Sequence, residues 1–386
     1  YGDHRDLHSF PTRRSSDLIS GDNLMELAVE AAEIDADSRS EIILALPGES
    51  LTSHLQTIKA VADSGFNHVN TYQLMMLPGT EIDSPETREK YGMKTRFRVL
   101  PRCFGYFEVL GKQVIAAEIE EVCISTNTLP FEDYVKCRKM HLLTHIFHND
   151  GLFSSALKFI KFFKLSPYRW LELLFEEEMK GGVKELFDKF EQDTRNELWI
   201  KRDELVHNIQ NPGIVDSYIS GETGYNLLFV HKAIGMGRLV QELKNFASVT
   251  LEKLLAETNK DTKDNLDFLY DALNYNACCI SNLFQNIDKT PIIKMKYDIE
   301  KFISEDDPVS IEKYLFEKIS EIKFVLQDTQ KDIITRSLDL YGYNDLGISR
   351  LLTKVFVKKI LRTGFNPLKS ENQTSKTIDS ADWPYC

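Results

Sequence analysis

Two short apolar runs stand out in the first part of the chain, and each ends in a leucine that is followed by Pro-Gly. Residues 42–46 and 69–77 form these runs, and the segment between them has apolar residues at spacings of three and four. This pattern predicts a strand, a helix capped by Ser50 or Thr52, and a second strand. A helix of this length makes a right-handed crossover, so we expect the strands to be parallel. Both turns then lie at the carboxyl rim of a sheet, where α/β proteins bind ligands.

The pattern changes along the rest of the chain. Residues 119–126 have period-two character, which predicts a strand, and a helix is expected to start within residues 129–133, with Pro130 near its first turn. From residue 151 onward, apolar residues recur at spacings of three and four residues with charged residues between them, which predicts helices. The longer helices are expected at residues 225–257, 262–284, 311–341 and 348–362. The predicted fold class is therefore α/β followed by a mainly α region.

The paired turns also carry a family resemblance. Residues 41–50 follow the pattern E-x-I-x-x-L-P-G-E-S, and residues 72–80 follow Y-x-L-x-x-L-P-G-T. This pair resembles the last two core strands of radical S-adenosylmethionine (SAM) enzymes, most closely the cobalamin-binding class, although Ala45 stands where that family usually has glycine. The resemblance implies a partial radical-SAM-type (β/α) barrel with only its last strands present. It extends less closely to about residue 145.

In such an enzyme the rim turns would approach the adenosine part of SAM. The resemblance assigns SAM binding to Ala45, Leu46, Pro47, Gly48, Glu49, Tyr72, Pro78 and Gly79. Glycine has no Cβ, so its backbone can approach a ligand closely. Tyr72, Leu74 and Met76 are expected to face the barrel interior, and Thr71, Gln73 and Met75 the covering helices. The alternative for both turns is ordinary strand-to-loop geometry, with Glu49 favouring the start of its helix rather than touching a ligand.

Other parts of the family's machinery are missing from the sequence. The 386 residues contain no Cys-x-x-x-Cys-x-x-Cys, the motif whose cysteines would hold a 4Fe-4S cluster. Residues 1–18 resemble, residue for residue, a translation of sequencing-library adapter DNA and are excluded from the fold. We therefore expect a truncated back half of a longer enzyme. SAM, the 4Fe-4S cluster and cobalamin are implied for the intact parent, and this chain by itself is expected to bind none of them.

The predicted organisation has five parts. Residues 1–18 are the adapter-like segment, and residues 19–100 are the C-terminal part of the barrel. Residues 101–150 form a strand and helix that cover the barrel, residues 151–365 a helical domain, and residues 366–386 a disordered tail. The helical domain is expected to contact substrate, a carrier or a partner protein.

Composition narrows the choice of partners and compartment. The net charge of −12 argues against nucleic acid as the main partner. No run of about 18 apolar residues occurs, so no transmembrane segment is predicted. A phenylalanine stripe in residues 153–163 has two interpretations, a membrane-surface face or, as we favour, a buried face. The six cysteines include no Cys-x-x-Cys pair, which indicates neither a disulfide framework nor a zinc site and is typical of the cytoplasm.

Three arginines offer a second candidate site. Arg96, Arg98 and Arg102 interleave with aromatic and apolar residues in a predicted extended segment. Arginine binds carboxylate and phosphate through two parallel hydrogen bonds, so one hypothesis is a clamp for an anionic ligand. The favoured alternative is a strand whose charges face solvent.

Three histidines offer a third candidate site. His141, His145 and His148 are spaced to share one face of a helix, and histidine is a common metal ligand. Apart from Asp150, no carboxylate or cysteine that could complete a site is evident nearby. Packing of the imidazoles beside apolar neighbours is therefore favoured over a metal site.

Two classes of function follow from these observations. The first is a truncated, inactive portion of a radical SAM enzyme, whose intact parent carries out cobalamin-dependent methyl transfer or related radical chemistry. The second is a non-catalytic helical interaction protein. Another α/β-barrel enzyme without iron-sulfur chemistry is a further alternative. A Cys-x-x-x-Cys-x-x-Cys motif in frame upstream of residue 19 would decide for the first.

Overall fold

The structure is a computed structural model that describes residues 38–220 and 223–367. The adapter-like residues 1–18, the start of the predicted barrel segment and residues 368–386 of the predicted tail lie outside the described residues. Within the described ranges, the strands form one parallel pair, one antiparallel hairpin and one three-stranded antiparallel sheet.

The first described unit is a parallel strand–helix–strand motif. Strand β1 (Arg39–Leu44) pairs in parallel with β2 (His68–Gln73), and helix α1 (Leu51–Asp63) connects them. The Ser50 hydroxyl caps α1 by accepting from the Ser53 N–H at 3.2 Å, and the Ser53 hydroxyl accepts from the Ser50 N–H at 2.9 Å. The predicted parallel crossover and the predicted Ser50 cap are confirmed.

A long antiparallel hairpin follows this motif. The short helix α2 (Pro85–Lys90) precedes β3 (Lys94–Val109) and β4 (Lys112–Ser125), which pair with each other. The segment just after β2 joins the hairpin, because Met75 forms an antiparallel bridge to Val122. The end of β4 therefore lies beside the carboxyl end of β2.

Helix α3 (Phe131–Leu143) begins directly after Pro130, within the range predicted for its start, and continues into a π-helical segment (Thr144–His148). The helices that follow are α4 (Ser154–Phe162), α5 (Pro167–Glu176), α6 (Gly181–Asn196), α7 (Arg202–Ile209), α8 (Pro212–Ser220), α9 (Leu227–Arg238), α10 (Val240–Glu257) and α11 (Lys263–Ile280). The helix expected over residues 225–257 is thus two helices, which meet at Leu239.

The main core lies among these helices. Trp170 is fully buried on α5, and its indole N–H donates to the Thr250 hydroxyl at 3.0 Å. Phe147 and Phe153 both pack edge-on against this indole, and their rings are tilted relative to each other. Phe159 is also fully buried, so the phenylalanine stripe is an internal packing surface rather than a membrane face. No helix in the described part of the chain is long and apolar enough to cross a membrane.

A three-stranded antiparallel sheet interrupts the last helices. It consists of β5 (Ile292–Tyr297), β6 (Leu315–Val325) and β7 (Thr363–Phe365), and the helices around it are α12 (Ile299–Ser304), α13 (Asp328–Tyr341) and α14 (Asp345–Lys354). The single helix expected over residues 311–341 is wrong for its first half. In β6, Ser320, Ile322 and Phe324 are buried at every second position, which is the period of a strand.

Candidate functional site

The turn after β1 has the geometry that its sequence demands. Leu46 accepts a hydrogen bond from the Glu49 N–H at 3.0 Å, which closes a four-residue turn with Pro47 and Gly48 at its centre. Gly48 has a φ of +83°. Proline at the second position and a positive φ at the third are the requirements of a type II turn, and only glycine meets the second without strain.

The turn after β2 repeats this arrangement. The Thr80 N–H donates to the Leu77 carbonyl at 3.2 Å, and Gly79 has a φ of +84° behind Pro78. The Thr80 hydroxyl makes a second bond to the same carbonyl at 2.8 Å. Because β1 and β2 are parallel, both turns lie beyond the carboxyl ends of their strands.

The space above both turns is open. A Cβ added to Gly48 or Gly79 would meet no described atom within 4 Å, and Leu46 and Leu77 are exposed beside them. Both glycines are therefore exposed at the surface, so their backbone is accessible from solvent. The structure therefore forms both predicted turns on one rim, with room for a ligand.

The two faces of the β1–β2 pair differ in what covers them. Ile42 and Val69 are buried against α1, and Thr71 is buried on the same parity as Val69. Tyr72 and Ile43, which are paired in register, are 49% and 41% exposed. Thr71 thus faces the helices and Tyr72 faces away from them, as expected. Leu74 and Met76, expected on the same side as Tyr72, are instead buried in a cluster with residues of α3.

Ala45 links the end of β1 to its turn through an unusual backbone conformation. It is fully buried and has a φ of +72°, a region that residues with a Cβ rarely adopt. Its N–H donates to Glu49 Oε2 at 2.6 Å. Glu49 therefore clamps the backbone of this turn, whereas the first helical cap is Ser50.

The other oxygen of Glu49 begins a buried polar chain. Glu49 Oε1 lies 2.8 Å from His54 Nδ1, and His54 Nε2 lies 2.7 Å from His141 Nε2. Both imidazoles are fully buried. Burial, followed by the neighbouring His54 and Arg138, lowers the pKa of His141 well below its ordinary value. The chain joins the rim turn to α3 in the helical layer.

The three histidines of the metal hypothesis do not converge. His141 bonds to His54, the ring of His145 packs edge-on against Phe229 at 5.3 Å, and His148 Nδ1 lies 3.3 Å from Asn149 Oδ1. The π-helical segment, whose hydrogen bonds span five residues, alters the helical spacing on which the shared face was predicted. No group of three His, Cys, Asp or Glu side chains in residues 38–220 and 223–367 is placed to hold a metal ion.

The three arginines do not converge either. Arg98 is held internally, with Nε 2.5 Å from Glu120 and Nη1 2.8 Å from Glu197. Arg96 donates to the carbonyl of the preceding residue, and Arg102 lies 3.5 Å from the Thr353 hydroxyl. The three side chains thus do not line one ligand surface, because Arg98 is paired with two carboxylates and the other two go elsewhere. Arg98 also differs from the favoured alternative, since its charge faces carboxylates rather than solvent.

Sequence reasoning missed His54. It lies on the buried face of α1, four residues before Ile58 and seven before Val61, so it occupies an apolar stripe. A histidine in such a stripe five residues after a turn carboxylate was the available signal. Its partner on α3 could not be inferred, because the two helices are distant in sequence.

Two curated methyltransferases are similar to part of this chain. The cobalamin-dependent radical SAM methyltransferase TokK of Streptomyces tokunonensis is 29% identical over 133 residues, which is 34% of this chain and 19% of that protein. The 2-(S-pantetheinyl)-carbapenam-3-carboxylate methyltransferase of Streptantibioticus cattleyicolor is 28% identical over 133 residues, with the same coverage. No protein-family model matches the chain.

About a third of the chain is therefore distantly similar to a cobalamin-dependent radical SAM methyltransferase and to a second methyltransferase. The matched segment spans about a fifth of the length of these relatives. The resemblance noted in the two Leu-Pro-Gly motifs points to the same class.

Proposed function

We propose that the rim formed by the two Leu-Pro-Gly turns is part of a SAM-binding site, and that the longer protein transfers a methyl group with cobalamin. The observation that carries this proposal is the pair of matching type II turns on one rim, each with open space over its glycine. The partial similarity to two methyltransferases supports it.

The residues of the rim have distinct roles in this proposal. The backbone of Leu46, Gly48 and Gly79 would lie against the adenine or ribose, where a glycine permits close approach. Tyr72 would present its half-exposed ring to the ligand from the face of the sheet opposite α1. Glu49 would act indirectly, because both of its carboxylate oxygens already bind protein groups.

The architecture that accompanies this function is a partial (β/α) barrel. In support, the edge of β2 away from β1 is already occupied by a side chain and by β4. The other edge of β1 pairs with no strand in the described part of the chain. Additional strands would therefore join at β1, and the face with the partly exposed Ile43 and Tyr72 would line the barrel interior.

The chain's own residues do not fit an iron-sulfur cluster. The sequence has no Cys-x-x-x-Cys-x-x-Cys, and the cysteines in the described part, at positions 103, 123, 137, 278 and 279, form no group that could hold a metal. In a radical SAM enzyme the cluster supplies the electron that cleaves the cofactor. The residues described here would contribute only the binding and orientation of the adenosine part.

The proposal is tested by three matched glycine variants. Gly48, Gly79 and Gly65 all have φ near +85° and open surroundings, but Gly65 precedes β2 at the opposite end of the sheet. Alanine at each position is expected to destabilise the fold by about 1 kcal/mol. Only Gly48→Ala and Gly79→Ala add a methyl group to the proposed ligand surface.

Binding of SAM and of S-adenosylhomocysteine is measured by isothermal titration, and stability by urea unfolding. Because both turns form in this chain, we expect weak binding, contrary to the expectation from the sequence alone. Gly48→Ala and Gly79→Ala should weaken it by at least about tenfold, and Gly65→Ala should leave it unchanged. No binding by the unsubstituted chain, or equal effects of all three variants, would overturn the proposal and favour a helical interaction protein.

A further inference from the structure

A continuous line of polar contacts runs from the rim turn into the helical layer. It passes from the Ala45 N–H to Glu49, from Glu49 to His54, from His54 to His141, and from His141 Nδ1 to Arg138 Nη1 at 3.4 Å. The guanidinium of Arg138 is buried and lies over a ring on α6, at 5.6 Å from the Phe190 centroid. The line therefore connects a surface turn, α1, α3 and α6.

The two ends of this line fix the position of every proton along it. Arg138 can only donate, so His141 Nδ1 accepts and its hydrogen lies on Nε2. His141 Nε2–H then donates to His54 Nε2, and the hydrogen of His54 lies on Nδ1. His54 Nδ1–H donates to the Glu49 carboxylate, which can only accept. Both imidazoles are neutral in this assignment, and each has a single tautomer.

The competing arrangement places a positive charge on His54. A cationic His54 would donate to both Glu49 and His141, and His141 would then carry its hydrogen on Nδ1. That hydrogen would point at Arg138 Nη1, so two donors would face each other in a buried site. A third charge would also lie near Arg138 and His141. The neutral, one-directional chain satisfies all of these contacts.

We propose that this directional hydrogen-bond chain makes His54 and His141 positioning residues that hold Glu49, and through it the Ala45 backbone, in the conformation of the rim turn. The role of these residues toward SAM rests on the proposed function, whereas the hydrogen-bond chain itself does not depend on any ligand. The turn is thereby anchored to the helical layer, and its geometry is set by residues far from it in sequence.

The tautomers are measured by nitrogen-15 NMR on the full chain with labelled histidine and alanine, without ligand. We expect the Nε2–H tautomer for His141 and the Nδ1–H tautomer for His54 at pH 7.5. A charged His54, or the opposite tautomer in either ring, overturns the proposal from the wild-type spectrum alone. This measurement fails or succeeds independently of SAM binding, which the glycine variants test.

Glu49→Gln tests whether the Glu49 carboxylate is the final acceptor of the hydrogen-bond chain. A glutamine can accept at one position only, so it must present its amide hydrogens either to His54 or to the Ala45 N–H. The first case inverts the tautomers of both histidines, and the second removes the hydrogen bond of the Ala45 amide. Either change supports the proposal, and no change at any of the three residues contradicts it.

Thr128→Val is the matched control. The Thr128 hydroxyl donates to the backbone carbonyl of Glu49 at 2.6 Å and does not touch its carboxylate. This variant removes a different anchor of the same residue. It should leave both histidine tautomers unchanged, and a change there equal to that of Glu49→Gln would show that the signals report general disturbance of the turn.

Discussion

The side-chain amide of Asn149 makes two hydrogen bonds to the backbone of Val69. Its Oδ1 accepts from the Val69 N–H at 3.0 Å, and its Nδ2 donates to the Val69 carbonyl at 3.0 Å. A side chain thus takes the place of a neighbouring strand at this edge of β2. Farther along, the Met76 N–H donates to the Glu121 carbonyl at 2.8 Å, so β4 continues the same role.

Replacing Asn149 with alanine should destabilise the protein strongly. Asn149 is 1% exposed, so its loss leaves a buried N–H and a buried carbonyl of Val69 without their partners. The expected decrease in the free energy of unfolding is about 2–4 kcal/mol, measured by urea denaturation. Asn127→Ala, at an exposed asparagine, should change it by about 0.5 kcal/mol or less. Similar losses in both variants would show that the double hydrogen bond does not secure this edge.

Arg98 and Arg96, two positions apart on β3, should respond very differently to methionine. Arg98→Met leaves the carboxylates of Glu120 and Glu197 without their cation, and Glu120 is buried. A loss of about 3–5 kcal/mol in the free energy of unfolding is expected. The Arg96 guanidinium donates to the backbone carbonyl of Thr95 on the same strand, so Arg96→Met should cost about 1 kcal/mol or less. Equal losses would rule out the internal ion pair as the cause.

Ala45 tests whether the rim turn depends on its left-handed backbone. Ala45→Val places a β-branched side chain at a φ of +72°, and a loss of about 2 kcal/mol or more is expected. Ala45→Gly relieves the strain but removes a buried methyl group, so its effect should stay within about 1 kcal/mol. Chemical denaturation distinguishes the two, and a tolerated valine would mean that the turn adopts another conformation in solution.

The buried histidines make the stability depend on pH. Burial lowers the pKa of His148 to about 4, with the hydrogen bond to Asn149 opposing that shift and the charge of His68 adding to it. The unfolded chain has an ordinary histidine pKa near 6.5, so it binds more protons than the folded chain between these values. The neutral folded histidine therefore stabilises the protein above about pH 6.5, and this contribution is lost as the pH falls.

Between pH 6.5 and 5, the free energy of unfolding should fall by up to about 1.4 kcal/mol per pH unit for each such histidine. His141, which faces His54, Arg138 and His145, should contribute in the same direction because its pKa is also lowered. Urea unfolding at several pH values measures the slope. His148→Gln should reduce this slope by up to about 1.4 kcal/mol per pH unit, which corresponds to one proton. An unchanged slope would mean that His148 is charged in the folded protein.

Much of the local structure could be predicted from the sequence. The parallel crossover between β1 and β2, the Ser50 cap, the start of α3 after Pro130 and the two type II turns all follow from short-range rules. Each is decided by the hydrophobic period, by a capping hydroxyl, or by the fixed φ of proline and the freedom of glycine. Residues close in sequence carry the whole of that information.

The sheet that contains β6 could not be recognised in the same way. Its alternation of buried and exposed residues covers only part of Leu315–Val325, and its charged positions also fit a helical period. Pairing with Ile292–Tyr297 and Thr363–Phe365 decides that it is a strand. Strand propensity depends on such partners, which the local sequence does not contain.

The same division applies to the rim site. The sequence by itself determined the turns after β1 and β2, because proline and glycine impose their geometry locally. Only the tertiary structure decided what Arg98 and His141 do, since each of them is paired with a residue distant in sequence. A buried charge or imidazole takes its role from the partner that compensates its lost hydration, and packing alone brings that partner to it.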